Sequence, residues 1–214
     1  MKNMIIFDLD GTLWDTADAT YEIVNQYLKD HGYAMQVSKE VIVENMGYEF
    51  DVCAERYFPK LDKKEALMLL DKIYEYEAEL LKDGKIIGKV FPHVPEVIAK
   101  LSKKYTLCIV SNCSNDFYIE SFLNTAKVNS YITDYVAASN FFISKAEAMR
   151  KVKEKYKAEK IIYVGDTLKD QVSAVDAGGT FVYAKYGFGD DLVSKHSIHD
   201  IVELPGLASY IFEE

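Results

Sequence analysis

Met4-Ile5-Ile6-Phe7-Asp8-Leu9-Asp10-Gly11-Thr12-Leu13 is the stretch on which the reading of this chain turns. Four apolar residues run into an acid, a second acid follows after one spacer, and Gly-Thr then breaks the segment. A short apolar run bounded by a glycine reads as a buried parallel strand. Side chains alternate along a strand, so Asp8 and Asp10 point the same way for as long as the strand stays regular. Two carboxylates at one strand end repel each other, and burying them unpaired is costly. A hard cation with oxygen ligands removes that conflict, and Mg²⁺ typically takes one or two carboxylates together with phosphate oxygens. The competing reading is a solvated acidic turn.

Beyond Leu13 the pattern changes from strand to helix. Asp15 or Thr16 can cap a helix over Ala17 to Asp30, with Thr20, Ile23, Val24, Tyr27 and Leu28 near one face and Gly32 as its stop. Ser38 caps a second helix that breaks near Gly47. Tyr48 to Tyr57 reads as a third helix and Leu61 to Leu81 as a long fourth, with Leu67, Leu70, Tyr74 and Leu81 as its apolar stripe. From Pro92 strands alternate with helices. Pro95 suits the first turn of a helix to Lys104, and Thr106 to Val110 is an apolar strand ending at Ser111-Asn112. A helix over Asn115 to Leu123 precedes a short strand at Tyr135 to Ala137. Ser144-Lys145-Ala146-Glu147 has the form of a capping box opening a helix to Lys157. Ile161 to Val164 is a strand ending at Gly165-Asp166, a helix runs to Ala177, and Thr180 to Ala184 is another strand. Helices without strands inside an alternating pattern describe an insert in an α/β domain. The expected architecture is a Rossmann-like three-layer core with a central parallel sheet (1–14 and 87–214) carrying an inserted all-helical cap (15–86).

Composition narrows the partners. With 214 residues, 49% hydrophobic and 28% charged, the chain has the make-up of an ordinary globular protein. A formal net charge of −9 argues against a nucleic-acid backbone or an anionic membrane as the main partner. Cys53, Cys108 and Cys113 form no CxxC pair, which suits a reducing compartment. With no leader and no run of membrane-spanning length, the expectation is a cytoplasmic protein.

Asp8, Ser111 and Asp166 each stand at the end of an expected strand. Ligands of open parallel α/β sheets bind beyond the carboxyl ends of the strands, so these three groups should meet although they are far apart in sequence.

Asp8-Leu9-Asp10-Gly11-Thr12, Ser111-Asn112, a downstream lysine and Gly165-Asp166-Thr167-x-x-Asp170 resemble, in order and across the whole chain, the four motifs of the haloacid dehalogenase-like hydrolases. The insert is similar to that superfamily's helical cap of the first type, and the likeness extends to its phosphoglycolate phosphatase-like branch. The resemblance implies that Asp8 is a nucleophile forming an aspartyl-phosphate. Asp10 would be the general acid and base. It implies Mg²⁺ held by Asp8, the carbonyl of Asp10 and Asp166, with Asp170 nearby. Thr12 and Ser111 would offer hydroxyls, and Asn112 a backbone amide, to the phosphoryl oxygens. Asp10 would need an environment that raises its pKa in order to carry a proton at neutral pH. Acids such as Asp166 and Asp170 also complement a helix N-terminus, so a purely local role for Asp170 stays open.

Lys145 is the candidate for the cationic third motif, although that motif usually reads Lys-Pro and this chain has Lys145-Ala146. A lysine in a first helical turn opposes the macrodipole, so a buried pairing with Asp8 explains its position better than local stability does. Lys151, Lys153 and Lys155 mark the rest of that helix as solvated. His31, His93, His196 and His199 share no metal-like spacing. Gly84 to Lys89 is no P-loop, and Gly187-x-Gly189 lacks the third glycine of a dinucleotide fingerprint. Trp14, at the expected cap hinge, reads as packing. The turn Met46-Gly47-Tyr48-Glu49-Phe50 is expected to face the phosphate and contains no basic residue, which disfavours a second phosphate on the substrate. The expected activity is hydrolysis of a small phosphorylated metabolite by a monomer or homodimer. The alternatives are a sugar phosphomutase of the same superfamily and a non-catalytic phospho-aspartate signalling domain.

Overall fold

The computed structural model describes residues 3–85, 88–113, 115–141, 143–189 and 192–214. Its centre is a sheet of β1 (Met4–Phe7), β4 (Thr106–Ser111), β5 (Asp134–Ala137), β6 (Ile161–Gly165), β7 (Thr180–Ala184) and β8 (Ser197–Ile198). All neighbours run parallel in the order β5-β4-β1-β6-β7-β8. Period-two alternation assigns each strand's side chains to two separate cores. Ile5, Phe7, Leu107, Ile109, Ile162 and Val164 join one. Met4, Ile6, Cys108, Val110, Ile161 and Tyr163 join the other. A sheet buried on both faces must be covered on both, and the helices divide accordingly. On the first face lie α5 (Val94–Leu101), α6 (Asp116–Ala126) and α9 (Leu204–Glu213). On the second lie α7 (Lys145–Lys155) and α8 (Leu168–Asp176). This is the expected three-layer parallel core.

Between the core's first and second strands, α1 (Ala17–Asp30), α2 (Lys39–Glu44), α3 (Phe50–Tyr57) and α4 (Lys63–Lys82) form the helical insert. A two-stranded antiparallel ribbon, β2 (Trp14–Asp15) with β3 (Lys89–Val90), ties its two ends together. The ribbon is too short to leave a period in the sequence. The expected boundary at residues 86 and 87 falls outside the described residues.

Local chemistry explains most element ends. The Asp62 side chain and Glu65 make a reciprocal capping box at the start of α4. Ser38, Asn115 and Ser144 each accept a backbone N–H three residues on. Ser144 supplies only half of the box expected there, because Glu147 pairs with Lys151 at 2.9 Å. Thr16 precedes α1 without capping it. Along α4 the buried positions are Ala66, Leu69, Leu70, Ile73, Glu77 and Leu81. Leu67 and Tyr74 are only partly buried, so the expected stripe is rotated by about one position. Trp14 is fully buried, edge-on to Tyr118 and Phe122 at ring distances of 5.3 and 5.5 Å.

Candidate active site

Regular strand geometry ends at Phe7. Asp8 extends the ladder by one bond, its N–H donating to the Val164 carbonyl at 2.8 Å. The Leu9 carbonyl then takes the N–H groups of Thr12, Leu13 and Trp14, and Gly11 adopts φ +76°. The chain turns tightly here, so Asp8 and Asp10 do not keep the common direction of a strand. Asp8 is buried toward Lys145, while Asp10, half-buried, faces α1 and α6.

Lys145 Nζ lies 3.0 Å from Asp8 Oδ1 and 2.7 Å from Asp170 Oδ1, with 3% of the lysine side chain exposed. Its position in the first turn of α7 points the side chain past the helix start to the ends of β1 and β6. Burial opposes its charge, but Asp170 and Asp8 together hold Lys145 well above the ordinary lysine range. Asp170 uses both oxygens. Oδ2 accepts from the Thr167 N–H at 3.1 Å and its hydroxyl at 2.7 Å, completing a capping box. Oδ1 accepts from Lys145 and, at 3.4 Å, from Tyr163. Asp170 therefore fills the local role left open for it, capping its own helix, and in addition anchors the lysine, a contact the sequence did not indicate.

Asp166 is fully buried at the end of β6. Its Oδ2 accepts from the N–H groups of Phe188 at 2.7 Å and Gly189 at 3.2 Å. Thr12 Oγ1 donates to Asp166 Oδ1 at 3.3 Å. That hydroxyl, expected to face a phosphoryl oxygen, is thus engaged in holding an acid. The approach is close: a Cβ at Gly11 would stand 2.3 Å from Asp166 Oδ2, and one at Gly187 would stand 2.3 Å from Asp166 Cβ. Gly187 and Gly189 belong to no nucleotide fingerprint, but the loop they form after β7 wraps Asp166. Sequence reasoning missed this loop; the strand-end pattern, had it been carried on to Ala184, is the signal that would have found it.

Asp10 Oδ1 accepts hydroxyl bonds from Thr16 and Tyr118, each at 2.6 Å. Burial raises its pKa from the ordinary aspartate value, while the hydrogen bonds of Thr16 and Tyr118, the charge of Lys145 and Trp14 oppose the rise. No sequence signal marked Tyr118, which reaches Asp10 from the first turn of α6. Ser111 is buried at the end of β4. Asn112 follows it, donating Nδ2 to the Gly47 carbonyl at 3.1 Å and accepting from Ser139 Oγ at 2.9 Å. The Met46–Phe50 turn does meet the core. It lacks a base of its own, but folding brings Lys169 and Arg56 onto the Tyr48 ring, at 3.4 and 4.5 Å from its centroid, and Lys169 pairs with Glu49.

Asp8, Asp166 and Asp170 each offer an oxygen within 4.8 Å of the others. Three buried carboxylates have one ammonium among them, and the deficit of positive charge shows in the titration of Asp8 and Asp166. Burial first, then the Asp170 charge, push Asp8 up from 3.8 to about 7 against the opposing pull of Lys145. Burial and the charges of Asp170 and Asp8 push Asp166 well above its usual range. A hard divalent cation fits this donor set, because it supplies the missing charge to oxygen ligands that are already converged. Asp8 Oδ2 accepts no hydrogen bond among the described residues, whereas both oxygens of Asp166 and both of Asp170 already accept protein donors, and of these two Asp170 alone is also bound to the ammonium of Lys145.

Comparison with known proteins agrees with this geometry. Residues 5–184 match the family model described as haloacid dehalogenase-like hydrolase. A phosphoglycolate phosphatase of Synechococcus elongatus is 27% identical, with 87% of this chain and 85% of the relative aligned. One of Aliivibrio fischeri is 26% identical over 93% of this chain and 91% of its own length. In fold, the crystal structure of a predicted phosphoglycolate phosphatase from Haemophilus somnus is similar with a TM-score of 0.81 at 21% identity, covering 97% of this chain and 98% of that one. A predicted phosphatase from Clostridium acetobutylicum is similar with a TM-score of 0.80 at 19% identity, with both chains fully covered. A matched family model over most of the length, on a parallel sheet whose strand ends gather Asp8, Asp166 and Lys145, makes this chain a member of the haloacid dehalogenase-like hydrolases.

Proposed function

We propose that the chain is a Mg²⁺-dependent phosphatase that hydrolyses a small phosphomonoester through an aspartyl-phosphate on Asp8. The observation that carries this reading is the buried contact of Asp8 with Lys145, set among Asp166 and Asp170. The names of the curated relatives support the same reaction class. Asp8 and Asp166, with the carbonyl of Asp10, would hold the cation and Asp170 would stand behind them. Bound there, Mg²⁺ supplies positive charge that lets carboxylates and a phosphoryl dianion share one site.

Lys145 binds Asp8 Oδ1, which orients Oδ2 toward an incoming phosphorus. The Asp8 oxygen forms a bond to phosphorus as the ester P–O bond breaks, and the proton of Asp10 passes to the departing alkoxide oxygen. Water then attacks phosphorus and gives its proton to Asp10. The Asp8–phosphorus bond breaks, phosphate leaves and the carboxylate is restored. Thr16 and Tyr118 hold Asp10 for both transfers. Ser111 and the Asn112 amide lie beside the phosphoryl position. The helices of residues 15–86 act as a cap that excludes water, meeting the core through Asn112–Gly47 and Lys169–Glu49.

The test is phosphate release from a panel of phosphomonoesters, phosphoglycolate among them, with Mg²⁺, with EDTA and with Asp8→Asn. Metal-dependent release lost in the variant is the expected result. Label retained on Asp8 or transferred to a sugar, without release, would refute it.

A further inference from the structure

A cleft of about 890 Å³ opens beside Lys145, between α3 and α4 on one side and the ends of β4 and β5 on the other. It is not the gap of a separated cap, because Asn112 already bonds Gly47 and Lys169 already pairs with Glu49 across it. Its size lies toward the upper end of the ~300–1,000 Å³ typical of small-molecule sites, far more than a two-carbon acid fills.

The cap wall has a definite chemistry. Leu67, Asp71, Tyr74 and Glu75 project from one face of α4, and Phe50 and Asp51 from the first turn of α3. Phe50 and Tyr74 meet edge to face at 5.4 Å. Asp71 and Glu75 are like charges at i and i+4, an arrangement that weakens a helix, so local stability does not explain it. Among the described residues, Asp51, Asp71 and Glu75 have no ion-pair partner. Lys145 is the only cation among the described lining residues, and Asp8 and Asp170 already occupy it. A second anion on the substrate would enter this cleft without a partner and against three acids. An apolar group fits the aromatic wall, and an ammonium on its far end would meet the acids.

We propose that this cleft receives the leaving group of the phosphomonoester and selects an apolar alcohol that is uncharged or carries an ammonium, against one that carries a carboxylate. The inference rests on the phosphatase reading and sets this chain apart from the substrate that its curated relatives are named for.

The experiment measures kcat/KM with the full chain and Mg²⁺ for phosphotyramine, the phosphate ester of phloretic acid and phosphoglycolate. The first two share a phenol and differ in the sign of the tail. Phosphotyramine is expected to exceed the phloretate ester by about tenfold or more, equivalent to about 1.4 kcal/mol, with phosphoglycolate below phosphotyramine. In Asp71→Lys/Glu75→Lys the ratio of the first two esters should shrink or invert, a change that a general loss of folding does not produce. Preference for either carboxylate ester, or a ratio unmoved by the charge reversal, overturns the inference and leaves the phosphatase reading standing. No release from any ester overturns both.

Discussion

Asp8→Asn should abolish turnover and yet make the metal-free protein more stable, by an amount that grows with pH. The folded-state pKa of Asp8 is raised from 3.8 to about 7, so the folded protein keeps a proton that the unfolded chain has already lost. Stability therefore falls as pH rises through that window and levels off above it. At about 1.4 kcal/mol per unit, wild-type Asp8 costs nothing near pH 3, roughly 1.6 kcal/mol near pH 5 and roughly 4 kcal/mol near pH 8. Asparagine carries no charge at any of these values, and Lys145 keeps its partner in Asp170 at 2.7 Å. Asp8 is also one of the charges holding Asp166 up, so its loss adds to the difference in the same direction. Urea unfolding in EDTA at three pH values reads the gap directly. Saturating Mg²⁺ should narrow it, because the wild type then gains binding free energy in its folded state. A variant less stable than wild type near pH 8, or a gap that ignores pH, would refute the charge-deficit argument.

Lys145→Met should cost about 3–5 kcal/mol near pH 8, the range for breaking a buried ion pair. The loss in urea melts should be smaller near pH 5, where Asp8 is protonated. Gly187→Ala places a methyl 2.3 Å from Asp166 Cβ; the displaced carboxylate should lower kcat/KM by about 100-fold, while circular dichroism stays native. Tyr118→Phe removes a 2.6 Å donor to Asp10 and should destabilise by about 1.5–3 kcal/mol, with the loss appearing in kcat more than in KM.

The sheet was legible because its strands are apolar runs that each finish in a polar residue, as Phe7-Asp8, Val110-Ser111 and Val164-Gly165-Asp166 do. Burial on both faces erases alternation but marks the ends clearly. A common site for Asp8, Ser111 and Asp166 was expected from that alone, and the conflict of Asp8 with Asp10 suggested a cation, although those two acids turn apart and the crowding falls among Asp8, Asp166 and Asp170 instead. Lys145 was legible through a local cost, a lysine where the helix dipole disfavours it. What escaped depends on tertiary approach rather than local pattern. β8 and the β2–β3 ribbon contain two residues per strand, too few to show a period. α9 begins at Leu204-Pro205 and was not anticipated, because Gly206 interrupts its first turn. Gly187 is needed only because Asp166 lies against it. Tyr118 matters because α6 starts beside Asp10, 108 positions later in the chain. Arg56 and Lys169 both reach the Tyr48 ring, so a turn that lacks basic residues in sequence still acquires them in space.

That distribution of charge has a consequence for how substrate binds. A phosphoryl dianion entering above Asp8 meets three buried carboxylates, and the one ammonium among them is already shared by two. Lys169 is turned to Glu49 and Tyr48, and Arg56 to Asn45, so neither is free to clamp a phosphate. On the proposed metal-dependent reading, a divalent cation held by these acids would then contribute to affinity as well as to chemistry. Calorimetric titration with inorganic phosphate tests this without turnover. Binding should be measurable with Mg²⁺ and weakened by about tenfold or more, about 1.4 kcal/mol, in EDTA. Lowering the pH to near 5 in EDTA should restore part of it, because Asp8 then carries a proton and one of the repelling charges is gone. Equal phosphate affinity with and without the metal near pH 8 would mean that Lys145 and the backbone amides suffice, and that the raised pKa of Asp8 has no role in recruiting the cation.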